Sequence, residues 1–340
     1  MIHFATIGTN FITKWFLEAA KECPILEYQA VYSRNEDTAK AFAREFGAKT
    51  YVTDIEELAR MESVDGVYIA SPNSLHYEQA MLLMEHGKHI LCEKTIASNS
   101  QELKSMLELA EKKHVVLLEA MRSVFDPGFY AISENLHKLG TIRRASFQFC
   151  KYSSRYDNFK NGIVENAFNP ELSNGALMDI GVYCVHPMMK LFGRPKSVHG
   201  EALMLRNGID GSGTILAGYE GMQAEMIYSK ISNSQVPSQI QGEDGCMIIR
   251  AIENPKELFI TYNNGETEKI LVGKNDQNMV YETAEWVRLI ENGLTGREHN
   301  RYSVMALEVM DQVRAQTGLV FPADKRLFSA KTGGSDSFTE

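Results

Sequence analysis

Over the first 122 residues, short apolar runs alternate with longer amphipathic stretches. The runs lie at 2–7, 26–32, 50–52, 66–70, 89–92 and 115–119, and they have the length of buried strands. The stretches between them read as helices. The clearest covers 101–113, where Leu103, Met106, Leu107 and Ala110 recur at i, i+3, i+4 and i+7. Ser100 is its expected N-cap, and a short helix is expected at 54–61. Strands joined by helical crossovers imply an α/β fold with a parallel, doubly wound Rossmann sheet.

Past Asp126-Pro127 the pattern changes. One long helix is expected over 175–192. Strand-like runs follow at 197–206, 213–219, 221–230, 236–241, 245–252, 257–262 and 267–272, with a hairpin signal at Asn264-Gly265. Strands joined by short turns predict a large, mostly antiparallel open sheet. Helices near 279–292 and 301–317 close the region. The second places Ala306, Val309, Met310 and Val313 on one face. The expected organisation is a dinucleotide-binding Rossmann domain over 1–122, an α+β substrate-binding and oligomerisation domain over 123–330, and a flexible tail over 331–340.

Lys and Arg total 35 against 44 Asp and Glu, a net charge of −9. That argues against nucleic acid as the main partner, since phosphate backbones demand a basic surface. The five cysteines show no Cys-x-x-Cys spacing and read as reduced, mostly buried thiols. No apolar run reaches the roughly 18 residues of a membrane span, and the first residues already form a strand. The expectation is a cytoplasmic protein with no membrane partner. His86 and His89 flank Gly87 with no further ligand to complete a set, so no metal site is expected.

Candidate chemistry gathers at strand ends. The first strand opens into Gly8-Thr9-Asn10-Phe11-Ile12-Thr13, which keeps one glycine of the Gly-x-Gly-x-x-Gly pattern. Asn10 tolerates a left-handed conformation, and a helix starting near Phe11 and Ile12 would offer N–H groups to a pyrophosphate. The second strand ends in Ser33-Arg34. An arginine there suits the 2′-phosphate of NADP rather than the ribose hydroxyl of NAD; the alternative is a solvent-facing arginine. Asn73 and His76 follow the fourth strand, near the cofactor cleft, although His76 also fits a packing role. Glu93-Lys94-Thr95 ends the fifth, where open α/β sheets bind ligands. In the 175–192 helix, Asp179, Tyr183 and His186 share one face at i, i+4 and i+7. That polar face is either a satisfied buried network or a substrate site. The loop 152–159, with Arg155 and Asp157 among aromatics, either holds sugar hydroxyls or is a solvated surface.

These motifs resemble the glucose–fructose oxidoreductase / inositol dehydrogenase / rhizopine-catabolism (Gfo/Idh/MocA) family over residues 1 to about 325. Glu93-Lys94-Thr95 is similar to the family's Glu-Lys-Pro, with Thr95 in place of proline. Gly175 to Tyr183 is similar to its Asp-x-Gly-x-His/Tyr helix, in the tyrosine form of dihydrodiol and xylose dehydrogenases. Ser71-Pro72-Asn73 with His76 and Glu119-Ala120-Met121-Arg122 also match. The resemblance implies hydride transfer between a nicotinamide and a carbinol carbon of a sugar, polyol or related diol. It implies a cofactor set of Gly8, Asn10, Phe11, Ile12, Ser33, Arg34, Ser71, Asn73, His76, Glu93, Lys94 and Arg122. With the polar loop and the helix face read above, the expected substrate set is Lys94, Arg155, Asp157, Asp179, Tyr183 and His186. Tyr183 is the implied acid/base, assisted by Lys94, with Asp179 orienting Lys94 or a substrate hydroxyl and Lys94 itself as the alternative proton carrier. A homodimer or homotetramer through the second sheet is implied as well. A non-catalytic NADP-binding regulator and an NAD-dependent glycosidase are the other readings.

Overall fold

The computed structural model describes residues 1–325. The expected tail lies outside the described residues. Six parallel strands form the first sheet: β1 (Ile2–Ile7), β2 (Leu26–Tyr32), β3 (Thr50–Val52), β4 (Gly66–Ile69), β5 (His89–Glu93) and β6 (Leu117–Ala120). Their order is β3-β2-β1-β4-β5-β6. The crossovers are α1 (Phe11–Ala20), α2 (Glu36–Phe46), α3 (Ile55–Arg60), α4 (Asn73–Glu85) and α5 (Ser100–Lys113). Every residue of β4 and β6 is buried, as expected where helices cover both faces of a parallel sheet. The order reverses at β1 and β4, and the crevice at their carboxyl ends is the ligand position of such folds.

The cap of α5 differs from expectation. Asn99, not Ser100, accepts the Glu102 N–H at 2.9 Å, while the Ser100 N–H donates to Asp311. Asn and Ser are near-equivalent caps, so the distant Asp311 settles the frame.

The second sheet has eight strands: β7 (Ile142–Cys150), β8 (Ser197–Met204), β9 (Asp210–Gly218), β10 (Gln223–Ser229), β11 (Ser238–Gly242), β12 (Gly245–Ile249), β13 (Glu257–Tyr262) and β14 (Thr267–Leu271). The order is β14-β13-β12-β11-β7-β10-β9-β8, antiparallel except for β7 beside β10. Sequence patterning missed β7, an internal strand of this sheet. Only Ala145 and Phe147 are buried in it, and Arg143 and Arg144 interrupt its alternation. On β9 the alternation is clear, with Ile215 buried and Leu216 outward at 54% exposure.

The remaining helices are α6 (Pro127–Asn135), α7 (Tyr156–Lys160), α8 (Val182–Phe192), α9 (Met279–Glu291) and α10 (Arg297–Thr317). α8 lies under the second sheet with Cys184, Val185, Met188 and Met189 fully buried. α9 turns back onto the first sheet. A Cβ on Gly66 of β4 would lie 2.6 Å from the Trp286 ring, so this glycine makes room for the tryptophan.

The expected continuous 175–192 helix is interrupted. Leu177–Gly181 is a π-turn in which the Val182 N–H reaches back to the Leu177 carbonyl. Such a turn changes which main-chain carbonyls are bonded within the helix. The Met178 carbonyl accepts the Thr95 hydroxyl at 2.7 Å, and the Asp179 carbonyl accepts Lys94 Nζ at 2.8 Å. Of the five unpaired cysteines, Cys92 and Cys184 are buried and the other three are only partly so.

Candidate active site

The cleft is built from three strand ends and one turn. After β1, Gly8 has φ +105°, and a Cβ there would lie 2.8 Å from the Ala70 carbonyl oxygen, so only glycine brings the turn this close to the end of β4. Asn10 does not take the left-handed conformation that the sequence suggested. Its φ is −83°, and its side chain caps α1 by accepting the Ile12 and Thr13 N–H groups. Its amide donates to the Ala70 carbonyl at 2.9 Å. Capping, rather than backbone freedom, is what asparagine contributes here. The turn therefore presents its Thr9 to Phe11 amides at a helix N-terminus, which fits a dinucleotide pyrophosphate. Ser33 and Arg34 lie at the rim after β2, and Arg34 is exposed with no ion pair among the described residues.

After β4, His76 is fully buried. Its Nδ1 lies 3.0 Å from the Thr95 carbonyl and its Nε2 2.8 Å from that of Ser71, so it ties two cleft loops together. Burial pushes its pKa down to about 4. Asn73 donates across the cleft to the Ser173 carbonyl at 3.0 Å, and the Ser71 hydroxyl bonds Gln79.

β5 delivers Lys94. Its Nζ lies 2.7 Å from Asp179 Oδ1, and the side chain is 16% exposed. The Lys94–Thr95 peptide bond is cis. Thr95 adds the hydroxyl contact to Met178, which proline could not make. Glu93 is buried, accepting the Tyr68 hydroxyl at 2.6 Å, and burial raises its pKa. Tyr183 stands beside Lys94, whose Nζ is 5.4 Å from the ring centroid. Arg122 flanks it too, with Cζ at 5.5 Å, and Arg122 Nε donates to the Tyr183 hydroxyl at 3.3 Å. Arg122 Nη1 donates to Asn278 at 3.0 Å. The π-turn and the first turn of α8 thus bring Asp179 and Tyr183 to one lysine.

Three groups were not found by sequence. Lys230, which follows β10, reaches the second oxygen of Asp179 at 2.7 Å and is 3% exposed. Asp210, at the start of β9, accepts the Ala176 and Leu177 N–H groups at 3.1 and 2.7 Å and so caps the π-turn. Asn278, ahead of α9, bridges Arg122 and Asp126. A charged residue at a strand end reads as solvent-facing, and no spacing rule marks these as buried.

Electrostatics follow from burial and pairing. Burial works against the Lys94 ammonium, but Asp179, with Tyr183 and Glu93, outweighs it and holds the lysine above its usual range. Burial also opposes the Asp179 carboxylate. Lys94 and Lys230 together reverse that and hold it well below the usual range. Lys230 is lowered, with burial the dominant cause. Burial pushes Asp210 up to about 6, against its two backbone bonds.

Three residues with expected substrate contacts have their side chains engaged by other protein groups. His186 is 2% exposed and bonds the Ser303 hydroxyl at 3.2 Å, with Glu119 3.7 Å away. The π-turn moves Asp179 off the face that regular spacing assigns it with His186. Arg155 pairs with Glu165, and Asp157 with Lys160 and Tyr152, all at the surface.

A nucleotide-binding sheet that hands a lysine to an aspartate and a tyrosine beneath a second, open sheet defines a nicotinamide-dependent oxidoreductase. Comparisons agree. Residues 2–121 match the Gfo/Idh/MocA oxidoreductase family, NAD-binding Rossmann fold, and residues 136–248 match the Gfo/Idh/MocA C-terminal domain. The chain belongs to this family. It is 46% identical to the scyllo-inositol 2-dehydrogenase (NADP(+)) IolU of Bacillus subtilis, over 96% of this chain and 100% of that one. It is 26% identical to the mouse trans-1,2-dihydrobenzene-1,2-diol dehydrogenase, over 96% of this chain and 99% of that one. The 3-ketoreductase KijD10 of Actinomadura kijaniata, solved with NADP and TDP-benzene, shares the fold with a TM-score of 0.83 at 21% identity. That superposition covers 93% of this chain and 98% of KijD10.

Proposed function

We propose that the protein interconverts a carbinol and a carbonyl on a cyclic polyol or sugar, with NADP preferred to NAD. The observation that carries this is the Lys94–Asp179 contact at the carboxyl end of β5, with the Tyr183 ring beside it. The polyol class and the NADP preference are supported by the inositol dehydrogenase relative, and Arg34, exposed and without an ion pair among the described residues, also suits a 2′-phosphate.

When bound, NADP accepts or returns the hydride. The chain's own residues manage the proton and the reacting oxygen. An ammonium has three donors. Lys94 spends two on the Asp179 carboxylate and carbonyl, which leaves one for the substrate oxygen. Because Asp179 keeps Lys94 protonated, Lys94 serves as a donor, and the exchangeable proton falls to Tyr183. The Tyr183 oxygen accepts from Arg122 and keeps its own O–H for the substrate. Lys94 and Arg122 set two positive charges beside the oxygen on which negative charge develops.

The reading includes a homodimer or homotetramer through the open face of the second sheet, where Leu203 and Leu216 are each 54% exposed. It also includes a cytoplasmic location, in keeping with five unpaired cysteines. The test is a panel of inositols, sugars and diols, followed by nicotinamide absorbance with NADP and with NAD. Activity on none of them, despite measurable NADP binding, would replace this reading with a non-catalytic one.

A further inference from the structure

We propose that Lys230 is a positioning residue for this reaction: it holds Asp179 from the side opposite Lys94 and leaves the three-residue cluster with a net positive charge. The inference rests on the assignment of Lys94, Asp179 and Tyr183 given above. Lys230 follows β10, outside every motif that marks the site.

The geometry is that of a bracket. Lys94 Nζ lies 2.7 Å from Asp179 Oδ1, and Lys230 Nζ lies 2.7 Å from Oδ2. Lys230 also donates to the Ala167 carbonyl at 2.7 Å and sits 4.8 Å from the Phe168 ring centroid. Its side chain is 3% exposed. A buried ammonium is costly unless paired, and here the pairing leaves two cations on one carboxylate. With a single lysine the pair would be neutral. With two, one positive charge remains, and the carboxylate cannot swing away from Lys94 without leaving Lys230 unpaired.

Other titratable or charged groups facing the cluster are Tyr183 from α8, Arg122 after β6, Glu93 from β5, Glu119 from β6, His76 from α4 and Asp210 from β9. Of these, Asp210 feels the Lys230 charge directly, and its carboxylate is favoured by it. Removing that charge lets Asp179 act on Lys94 alone. It also takes a positive charge away from the cluster, which makes loss of a proton from the site harder.

The experiment is the pH profile of kcat/KM for polyol oxidation in K230M, K230Q and K230R, with thermal melting and NADP affinity measured alongside. For K230M the midpoint of the profile is expected to rise by about one unit. The rate at neutral pH should fall by up to about 10²-fold, with NADP affinity within a few-fold. K230R should return the midpoint to the wild-type position. If K230M does not fold, K230Q keeps a donor for Ala167 while losing the charge, and it must show the same rise. A rate loss with an unmoved midpoint would make Lys230 merely structural and overturn the inference. K94M in the same assay separates the two claims. An active K94M defeats the underlying site assignment, whereas an inactive K94M with an unmoved K230M midpoint defeats only the role of Lys230.

Discussion

Lys94 Nζ stands 2.7 Å from Asp179 Oδ1, joining the end of a strand in the first sheet to a π-turn beneath the second. This contact links residues 85 positions apart and places an ammonium with one uncommitted donor at the cleft. Lys94→Met is expected to abolish turnover while leaving NADP affinity within a few-fold. Paired kinetics and fluorescence titration check it, and normal turnover would remove Lys94 from the mechanism.

The Tyr183 hydroxyl accepts from Arg122 Nε at 3.3 Å, and the proposed mechanism gives it the exchangeable proton. Tyr183→Phe should cut kcat by roughly 10²–10⁴, the range of general acid–base catalysis, with a small change in KM. An unchanged kcat would return the proton to Lys94.

Arg34 is exposed and makes no ion pair among the described residues, so its charge is available to a 2′-phosphate. Arg34→Ala should raise KM for NADP by roughly tenfold or more, the value of a lost charge-assisted hydrogen bond, and leave KM for NAD nearly unchanged. Equal effects on both cofactors would contradict the assignment.

Gly175 has φ +122°, and a Cβ there would lie 2.1 Å from Asp210 Oδ1. That carboxylate caps the π-turn that carries Asp179. Gly175→Ala should therefore cost roughly 2–4 kcal/mol of stability, from backbone strain and a disturbed cap. Denaturant unfolding measures it, and a loss of kcat in the surviving fold is expected as Asp179 shifts.

His186 is buried, and its pKa falls from 6.5 to about 3, chiefly through burial, with Lys190 and His299 adding. A depressed histidine favours the neutral form in the folded state. Its contribution is complete above pH 6.5 and is lost as pH falls toward 3. Between pH 6.5 and 5 the loss is on the order of 2 kcal/mol. Urea midpoints at the two pH values should differ less in His186→Gln than in the wild type. An identical difference in both would locate the acid lability elsewhere.

Much of the architecture was legible because it is local. The spacing of Leu103, Met106 and Ala110 is that of a buried helix face, and all three are buried on α5. β7 was not legible, because its arginines face outward and only Ala145 and Phe147 carry the core signal. The regular spacing of Asp179, Tyr183 and His186 suggested one shared face. The π-turn breaks that spacing, leaving His186 with Ser303. Lys230 and Asp210 gave no signal, because burial of a charged strand-end residue depends on what packs over it.

Pattern and motif along the chain were enough to specify a parallel nucleotide-binding sheet ahead of an open one, and to name Lys94, Asp179 and Tyr183 as the candidates for the chemistry. Periodicity, strand-end position and motif are properties of neighbours along the chain. Tertiary structure alone decided that Thr95 and Lys94 take the Met178 and Asp179 carbonyls, and that Asp179 sits between two lysines. It also decided that Asn10 acts as a cap. These contacts join the end of β5, a π-turn and the end of β10, and they become neighbours only when the two sheets close on one cleft.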